Sequence, residues 1–403
     1  MLETQRLEKV SAWGMAQSAL SYVYRPSTTD GVLEAFALAR EHGTHIGLRG
    51  AGCSYGDASL NSEGVCLDLT RMNRILAWDP ATGVMRLEPG VTIQQVWQHA
   101  IEDGYWPPVV PGTMFPTLGG CTAMNIHGKN NFKVGPIGDH VEEFEILLPT
   151  GEVRRCSRER HPDLFRAAIG GFGMLGCFLS LTLRLKKVYS GLLRVEPISV
   201  ESLEAMIDIF EERREQADYL VGWLDGFARG RHLGRGLIHQ ANHLAPGEDP
   251  RPAQTLRVVN QQLPDTLFFG LVPKSVMWRV MQPFVNHAGM RLVNAAKYHA
   301  SRPSSRTLHH QSHAAFAFLL DYVPNWKWAY SPGGLIQYQS FIPAESAAAT
   351  FQAQLALCQE RGIVPYLGVF KRHRPDDFLM THAVDGFSLA LDFKVTARNR
   401  QRL

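Results

Sequence analysis

The stretch Arg49-Gly50-Ala51-Gly52-Cys53-Ser54-Tyr55-Gly56 opens the part of the chain that decides its fold. Further along, Pro111-Gly112-Thr113 and Gly119-Gly120 lead into the polar run Asn125-Ile126-His127-Gly128-Lys129-Asn130. Glycines let the backbone approach a phosphate closely, and backbone N–H groups are natural anion ligands. Because one diphosphate held by two loops needs such a pair, the pattern predicts the two halves of a flavin-dinucleotide site.

Composition narrows the class of protein. A chain of 403 residues favours two domains, and 45% hydrophobic with 20% charged residues is typical of a globular enzyme. A net charge of only +3 without a basic run argues against a nucleic-acid partner. The six cysteines form no C-x-x-C pair and no signal peptide is recognisable, so we expect reduced thiols and a cytoplasmic protein. No apolar run reaches the ~18–20 residues of a membrane span, which leaves at most peripheral contact with the inner face of the membrane.

Hydrophobic periodicity predicts an α+β first domain. Short strand-like runs at 20–24, 45–48, 65–69, 84–87, 144–148 and 177–185 are interspersed with helices that begin after Ser27 and Thr92. A second domain follows, with helices at 200–217 and 344–361 and strands at 220–227, 236–239, 335–341 and 363–370. We expect it to be an antiparallel sheet with helices on one face. Residues 245–262, rich in Pro, Gly and Gln, predict a mobile loop.

The glycine stretches and the His127-Gly128-Lys129-Asn130 run resemble the PCMH-type FAD-binding domain of the vanillyl-alcohol-oxidase family, most of all its decaprenylphosphoryl-ribose-oxidase branch. The likeness continues in Gln337-Tyr338-Gln339, Val369-Phe370-Lys371 and Gly386-Phe387 with Asp392-Phe393. It implies an FAD-binding domain over residues 1–188 and a substrate-binding cap domain over 189–403.

The resemblance also implies an activity. It is an FAD-dependent oxidation of a secondary hydroxyl of a sugar or lipid-linked sugar, in a cleft between the domains, by hydride transfer to flavin N5. A separate short-chain reductase is the implied partner for the keto product. FAD is expected to be held without a covalent bond. In many family members a histidine that follows Gly-x-Gly bonds the flavin; Cys53 stands there in this chain, and a cysteinyl link is the alternative.

The resemblance assigns roles residue by residue. His127 and Lys371 are expected to polarise the substrate, and Gln337, Gln339 and Ser388 to contact it. The residues expected to bind FAD are Arg49, Gly50, Ala51, Gly52, Cys53, Ser54, Tyr55, Gly56, Pro111, Gly112, Thr113, Gly119, Gly120, Asn125, His127, Gly128, Asn130, Gly173 and Gly176.

For four of these residues the sequence pattern gives a reason as well. Lys371 lies in a run with apolar flanks, which predicts burial and a need for a partner; a lysine that reaches the sheet edge is the alternative. Strand alternation places Gln337 and Gln339 on one face, where their amides suit a polyhydroxylated substrate. An imidazole at His127 can accept or orient a hydroxyl proton, although a structural histidine is the ordinary alternative.

Gly171-Phe172-Gly173-Met174-Leu175-Gly176 matches the G-x-G-x-x-G fingerprint of dinucleotide-binding folds. That fingerprint needs a strand before it and a helix after it. Here residues 163–168 look helical and 177–185 look like a strand, so the order is reversed. We expect a tight turn against the cofactor, with a purely structural turn as the alternative.

Two other clusters have competing interpretations. His309, His310 and His313 suggest a metal site, with 309 and 313 on one helical face, but no further ligand accompanies them and we expect no metal. The apolar segment 267–284 is either a buried cap helix or a membrane-facing surface.

Two departures from the family bear on activity. Ser388 and Ala390 replace an Asn and a Cys of the mycobacterial pattern, which leaves the sugar open. Family members also continue well past Asp392-Phe393 and return to the FAD domain, whereas this sequence ends at Leu403. The rival hypotheses are an alditol or aldonolactone oxidase that uses oxygen, and a truncated, non-catalytic homologue.

Overall fold

The computed structural model describes residues 2–262, 266–267 and 272–403, which form two compact units. The first unit contains Met1–Gly128, Pro136–Lys187 and Asp376–Thr381; the second contains Lys129–Gly135, Val188–Pro375 and His382–Leu403.

Two segments cross the single boundary expected near residue 188. Segment 129–135 joins the second unit, because the Leu220 N–H donates to the Lys129 carbonyl and Lys133 pairs with Asp218. Segment 376–381 joins the first unit, because the Leu379 N–H donates to the Arg166 carbonyl.

Two sheets make up most of the first unit. Within the described residues, the first sheet has four strands, and its strand Val65–Asp68 runs parallel to both of its neighbours. The second sheet has five strands, which pair in the antiparallel sense. Helix Thr29–Glu41 begins where the Thr28 side chain accepts from the Gly31 N–H, and it buries Val32 and Phe36. The strands of this unit are Leu7–Ser11, Ser18–Tyr24, Ile46–Arg49, Val65–Asp68, Ile75–Asp79, Val84–Leu87, Tyr105–Trp106, Val141–Leu147, Val153–Ser157, Cys177–Arg184 and Lys186–Lys187. Its helices are Thr29–Glu41, Ile93–Ala100, Leu118–Ala123 and Pro162–Ala168.

The second unit is built on one antiparallel sheet. In the described part of the chain it has seven strands, and Leu367–His373 lies between Tyr219–Leu224 and Gly386–Lys394 near its middle. The strands of the unit are Leu192–Val200, Tyr219–Leu224, Gly236–His243, Thr266–Leu267, Val272–Pro273, His309–Ser312, Leu335–Pro343, Leu367–His373 and Gly386–Lys394. Its helices are Asn131–Val134, Leu203–Arg213, Pro252–Thr255, Val258–Gln261, Met277–Met281, His287–Ser301, His313–Ala317 and Ala344–Glu360.

One face of this sheet forms the main hydrophobic core of the unit. Phe370 and Phe387 stack with ring centroids 5.1 Å apart, and helices Leu203–Arg213 and Ala344–Glu360 cover them with Phe210 and Phe351. Alternation along a strand then sends the side chains of neighbouring residues, including Lys371, to the opposite face. The expected antiparallel sheet is confirmed, but its helices are not restricted to one face. Tyr298 of helix His287–Ser301 packs with Trp223 and Leu367 on the side of the sheet opposite Phe370.

Several predicted elements need correction. The helix expected at 200–217 begins only at Leu203, because Val200 continues a strand and the Ser202 side chain caps the helix by accepting from the Ala205 N–H. Residues 245–262 are not simply a loop. They contain two short helices, tied by the Asp249 carboxylate, which accepts hydrogen bonds from Ser190 and Thr255 at 2.5 Å.

The histidine cluster also differs from the expectation. His309 and His310 lie in a strand and His313 begins the next helix, so 309 and 313 do not share a helical face. His313 is buried, and its Nε2 lies 3.0 Å from the Ser190 carbonyl. Among the described residues no group of three or more His, Cys, Asp or Glu side chains is arranged to hold a metal ion.

The apolar segment expected at 267–284 lies partly outside the described residues. From Pro273 onward it consists of short helical turns in which Val280 and Phe284 are exposed rather than buried. A helix long and apolar enough to cross a membrane is not found in the portion of the chain that the structure describes.

Candidate functional site

The first glycine turn and the second stretch meet in the first unit. A Cβ placed on Gly50 would lie 2.0 Å from Thr117 Oγ1, and one placed on Gly52 would lie 2.1 Å from the Arg49 guanidinium. Gly52 also has φ +63°, a conformation that side chains disfavour. Only glycine therefore allows the backbone of the first turn to run this close to the residue that precedes helix Leu118–Ala123.

Arg49 and Tyr55 hold the first turn at its two ends. The Arg49 guanidinium donates to Ser59 Oγ at 2.8 Å and to the Ser11 carbonyl at 3.0 Å. The Tyr55 ring stacks on Trp13 with centroids 4.7 Å apart. The turn is thus fixed by side chains at its ends and leaves Ala51, Cys53 and Ser54 between them.

Cys53 lies near the second stretch. It is half-buried. Burial raises the pKa of Cys121, and the nearby Cys53 thiol raises it further. Cys121 belongs to helix Leu118–Ala123, so the first turn and this helix are close at a second point. In that helix Gly119 is required as well, because its Cβ would lie 2.7 Å from Pro89 Cβ. Gly120 is more open, with Thr117 Oγ1 at 3.2 Å.

Asn125 is a buried polar residue with unused hydrogen-bonding capacity. Its Oδ1 accepts from the Gly138 N–H at 3.0 Å, and its backbone has φ +41°. Within the described residues, its Nδ2 and the nearby Thr122 Oγ1 are buried without a hydrogen-bond partner. Buried polar groups are normally paired, so these two atoms are suited to meet a polar ligand.

The G-x-G-x-x-G segment is a turn that packs on the same helix. The Gly170 and Phe172 N–H groups donate to the carbonyls of Thr122 and Ala123. A side chain at Gly176 would collide with the Leu147 carbonyl at 2.3 Å, and one at Gly173 would touch Leu48. As expected, no helix follows the motif: it leads directly into strand Cys177–Arg184.

The remaining predicted residues of the first unit surround these features. Pro111, Gly112, Thr113 and His127 are half-buried and Gly128 is buried. Asn130, expected beside them, belongs to the second unit, where its carbonyl accepts from the Lys133 and Val134 N–H groups. The first unit therefore offers a glycine cradle with two unmatched buried polar atoms, and this arrangement fits a dinucleotide such as FAD.

In the second unit, the predicted substrate residues share one face of the sheet. Strand register pairs Lys371 with Ser388, Gln339 with Ala390 and Gln337 with Asp392. Directly paired residues on antiparallel strands point to the same side, so these side chains form one polar face, opposite the phenylalanine core.

Two lysines approach each other on this polar face. Burial and, as a smaller cause, the nearby charge of Lys371 lower the pKa of Lys129 to about 7, while Asp321 acts in the opposite direction. Burial also lowers the pKa of Lys371 to about 8. Lys129 Nζ donates to the carbonyls of Phe316 and Ala317 at 2.7 and 2.5 Å.

Ser388 connects two polar neighbours. Gln339 Nε2 donates to Ser388 Oγ at 3.0 Å, and His373 Nε2 lies 2.7 Å from the same oxygen. Burial holds the pKa of His373 well below its usual range, with Lys371 as a further cause, so its ring is neutral. A neutral Nε2 can then accept the Ser388 hydroxyl proton, which gives a relay from Gln339 through Ser388 to His373.

Asp392 fixes the side chain of Gln337 through a hydrogen bond. Its Oδ1 accepts from Gln337 Nε2 at 2.7 Å, and burial raises the pKa of its carboxyl to about 7 against the opposing effect of that bond. Its Oδ2 is buried and, within the described residues, has no hydrogen-bond partner. Because the Gln337 amide nitrogen faces Asp392, its carbonyl oxygen is turned away and can accept a hydroxyl.

The sequence analysis missed several members of these arrangements. Lys129 was quoted in the His-Gly-Lys-Asn run but given no role, and Asp392 was only a marker of the family likeness. Asp392 lies within strand Gly386–Lys394, next to Phe393 in an almost wholly apolar run, so a buried carboxyl could have been expected there. Thr117, Thr122 and His373 carry no comparable signal in the sequence.

Comparison with known proteins agrees with this geometry. The model of a family described as an FAD-binding domain matches residues 20–157. The chain is 28% identical over 399 residues to the decaprenylphosphoryl-beta-D-ribose oxidase of Mycolicibacterium smegmatis, an alignment that covers 97% of this chain and 83% of that protein.

Other relatives match over shorter lengths. The D-lactate dehydrogenase of Anaerostipes hadrus is 33% identical over 148 residues, which is 36% of this chain and 30% of the relative. A putative D-arabinono-1,4-lactone oxidase of Neurospora crassa is 26% identical over 179 residues, 44% of this chain and 32% of the relative. These three relatives are named for three different substrates.

Proposed function

We propose that this chain, an FAD-dependent oxidoreductase similar to the vanillyl-alcohol-oxidase family, oxidises a secondary hydroxyl of a sugar linked through phosphate to a lipid. The relative that aligns along nearly the whole chain is named for a decaprenylphosphoryl ribose, a substrate with these three parts. An identity of 28% does not establish which sugar the substrate carries. Ser388 and Ala390 argue for a changed contact with that sugar.

The observation that carries the proposal is the pair of lysines on the polar face. Lys129 and Lys371 repel each other in enclosed surroundings, and burial disfavours the charge on both. The negative charge of a bound phosphodiester would offset both the repulsion between the lysines and the burial of their charges. A neutral polyol would relieve neither, which favours an anionic substrate over a free sugar alcohol.

We propose that the first unit holds FAD through the Arg49–Gly56 turn, the Pro111–Gly120 stretch and the Asn125 side chain. The glycines bring backbone close to the diphosphate, while Thr122 Oγ1 and Asn125 Nδ2 suit polar edges of the ligand. When bound, FAD supplies the two-electron oxidation by accepting a hydride at N5. The half-buried Cys53 is not required for this, and we propose non-covalent attachment.

Side chains of this protein would bind the substrate and accept its hydroxyl proton. We propose that His127 accepts the hydroxyl proton and that Lys371 holds the phosphate. Gln337 presents its carbonyl to a sugar hydroxyl because Asp392 fixes its amide. The relay from Gln339 through Ser388 to His373 orients a second contact.

The product of this oxidation is a ketone, and we propose that a separate short-chain reductase consumes it. Its hydride would then come from a nicotinamide cofactor rather than from this chain. We propose that the protein acts in the cytoplasm at the inner face of the membrane, where a lipid-linked substrate is accessible.

The test is product identification. Purified protein is incubated with a short-prenyl phosphoryl pentose and, separately, with the free pentitol, and the products are analysed by mass spectrometry together with peroxide release. Loss of two hydrogens from the phosphodiester only is the expected result. Equal oxidation of the free polyol with stoichiometric peroxide would replace the proposal by the lactone-oxidase type of reaction, which the Neurospora crassa relative suggests.

A colourless protein that takes up no FAD would instead indicate the non-catalytic homologue. Release of the chromophore on denaturation and filtration distinguishes non-covalent FAD from a link to Cys53.

A further inference from the structure

Helix His287–Ser301 of the second unit has its polarity reversed. Its buried residues are Asn294 and Tyr298, and the Asn294 amide lies 3.4 Å from the Tyr366 carbonyl. Its outward side carries Leu292 and Val293, which are 65% and 41% exposed. A surface helix normally turns its apolar side inward, so this helix presents an apolar face without a partner in the described chain.

The two basic residues of the helix point toward the body of the unit. The Lys297 ammonium lies 4.1 Å from the centre of the Trp223 ring, and the Arg291 guanidinium lies 5.7 Å from that of Phe227. Such cation–π contacts keep the charged groups beside the sheet and leave the outer surface apolar.

The neighbouring segment extends this apolar character. Helix Met277–Met281 packs against the turn Trp326–Tyr330, where Trp278 and Trp328 meet edge to face with centroids 5.3 Å apart. Val280 is 58% exposed and Phe284, which leads toward helix His287–Ser301, is 48% exposed. Large apolar side chains exposed together mark interaction sites in soluble proteins.

The same part of the chain is strongly basic. Residues 272–344 contain seven Lys and Arg residues and a single acidic residue, Asp321, although the whole chain has a net charge of only +3. The rest of the molecule is therefore net acidic. Apart from Arg291 and Lys297, whose charged groups lie beside the sheet, the exposed basic residues of this segment are Arg279, Arg302 and Arg306. Exposed apolar residues combined with basic ones are the composition of surfaces that lie on anionic lipid.

We propose that the surface formed by Val280, Phe284, Leu292 and Val293, together with the exposed basic residues of the same segment, docks on an anionic lipid bilayer. A second copy of the chain is the less suitable occupant, since self-association would bring like charges together. An anionic bilayer satisfies both the apolar residues and the positive charge.

The docking surface lies next to the proposed substrate face. Tyr298, from the inner side of the helix, packs with Trp223 and Leu367. Leu367 lies on the same strand as Lys371 and, by alternation, on the same side of the sheet. The link from docking to a lipid-borne sugar rests on the proposed function, whereas lipid binding itself does not.

The experiment is vesicle co-sedimentation of the intact holoprotein. Vesicles of phosphatidylglycerol with phosphatidylcholine are compared with phosphatidylcholine alone, for the wild type and for the double variant Val280→Asp with Leu292→Asp. Leu357→Asp is the matched control, because Leu357 is 51% exposed on helix Ala344–Glu360, which covers the opposite face of the same sheet. Circular dichroism and flavin content establish that each variant is folded.

We expect the wild type and the control to bind the anionic vesicles, more weakly at high salt, and the double variant to lose roughly ten-fold or more in affinity. Equal binding by the double variant, or no binding by the wild type, would overturn the proposal. A wild-type dimer in light scattering that the double variant abolishes would assign the surface to a second copy. Oxidation of a short-prenyl, water-dispersed substrate is measured in parallel, so that a failed docking surface is distinguishable from a failed function.

Discussion

The glycine cradle of the first unit and the polar sheet face of the second unit are built in opposite ways. The cradle is made of backbone, since Gly50, Gly52 and Gly119 are required because no side chain fits there. The polar face is made of side chains, from Lys129 to Asp392, that converge from distant parts of the sequence. The first kind of site tolerates no added atom, whereas the second loses function one interaction at a time.

Gly50→Val tests the backbone site and should have the largest effect. The added side chain would overlap Thr117, so we expect the first turn to move and the protein to be purified without FAD. The measurement is the flavin-to-protein absorbance ratio. Gly43→Ala is the control, since the added side chain meets nothing within 4 Å, even though the backbone at Gly43, with φ +60°, disfavours a side chain. Full flavin occupancy in Gly50→Val would refute the cradle.

Lys371→Ala tests the side-chain site. We expect normal FAD content but a fall of about 100-fold in kcat/KM for a phosphoryl sugar, because a charge-assisted contact of roughly 1.5–3 kcal/mol is lost. Lys133→Ala removes a surface lysine of the same unit, paired with Asp218, and should leave the rate unchanged. Equal rates in wild type and Lys371→Ala would remove the lysine from the substrate site.

These two tests also mark what the sequence could predict. The glycine turns and the order of helices and strands depend on local sequence spacing. They could be predicted because each turn has characteristic residues, and the turns in turn indicated FAD. The sequence predicted no role for His373 and Asp392, because only strand register brings them beside Ser388 and Gln337. It predicted none for Lys129 either, since Lys129 comes near Lys371 only through the folding of a segment that is distant in sequence. No helix was predicted at 287–301. Its reversed polarity could not be predicted either, because it depends on which of its residues the folded unit exposes.

The affinity for an anionic substrate should depend on pH. The pKa values of Lys129 and Lys371, lowered to about 7 and about 8, mean that both lysines lose their charge as the pH rises through this range. Binding of a phosphoryl sugar should therefore weaken by roughly ten-fold between pH 6 and 9, while any binding of the neutral polyol should not follow that profile. Titration calorimetry at several pH values measures both, and identical profiles would argue against phosphate recognition by these lysines.

Asp392→Asn should have the smallest effect and act mainly on stability. Burial raises the pKa of Asp392 from 3.8 to about 7. The protonated carboxyl therefore contributes its full stabilisation of the folded state below pH 3.8, and this stabilisation is lost as the pH rises through 7. We expect the variant to exceed the wild type by about 1–2 kcal/mol in free energy of unfolding at pH 8 and to show no gain near pH 4. Chemical denaturation at the two pH values gives this difference, and a gain of equal size at both would exclude the buried carboxyl as its source.

The most direct test of the central claim is anaerobic titration of the bound flavin of the wild-type protein. A short-prenyl phosphoryl pentose and the same pentose without phosphate are added in turn, and the visible flavin band is followed. We expect stoichiometric bleaching by the phosphoryl sugar and little by the free sugar. Bleaching by both at equal concentration, or by neither in a protein that carries FAD, would contradict it.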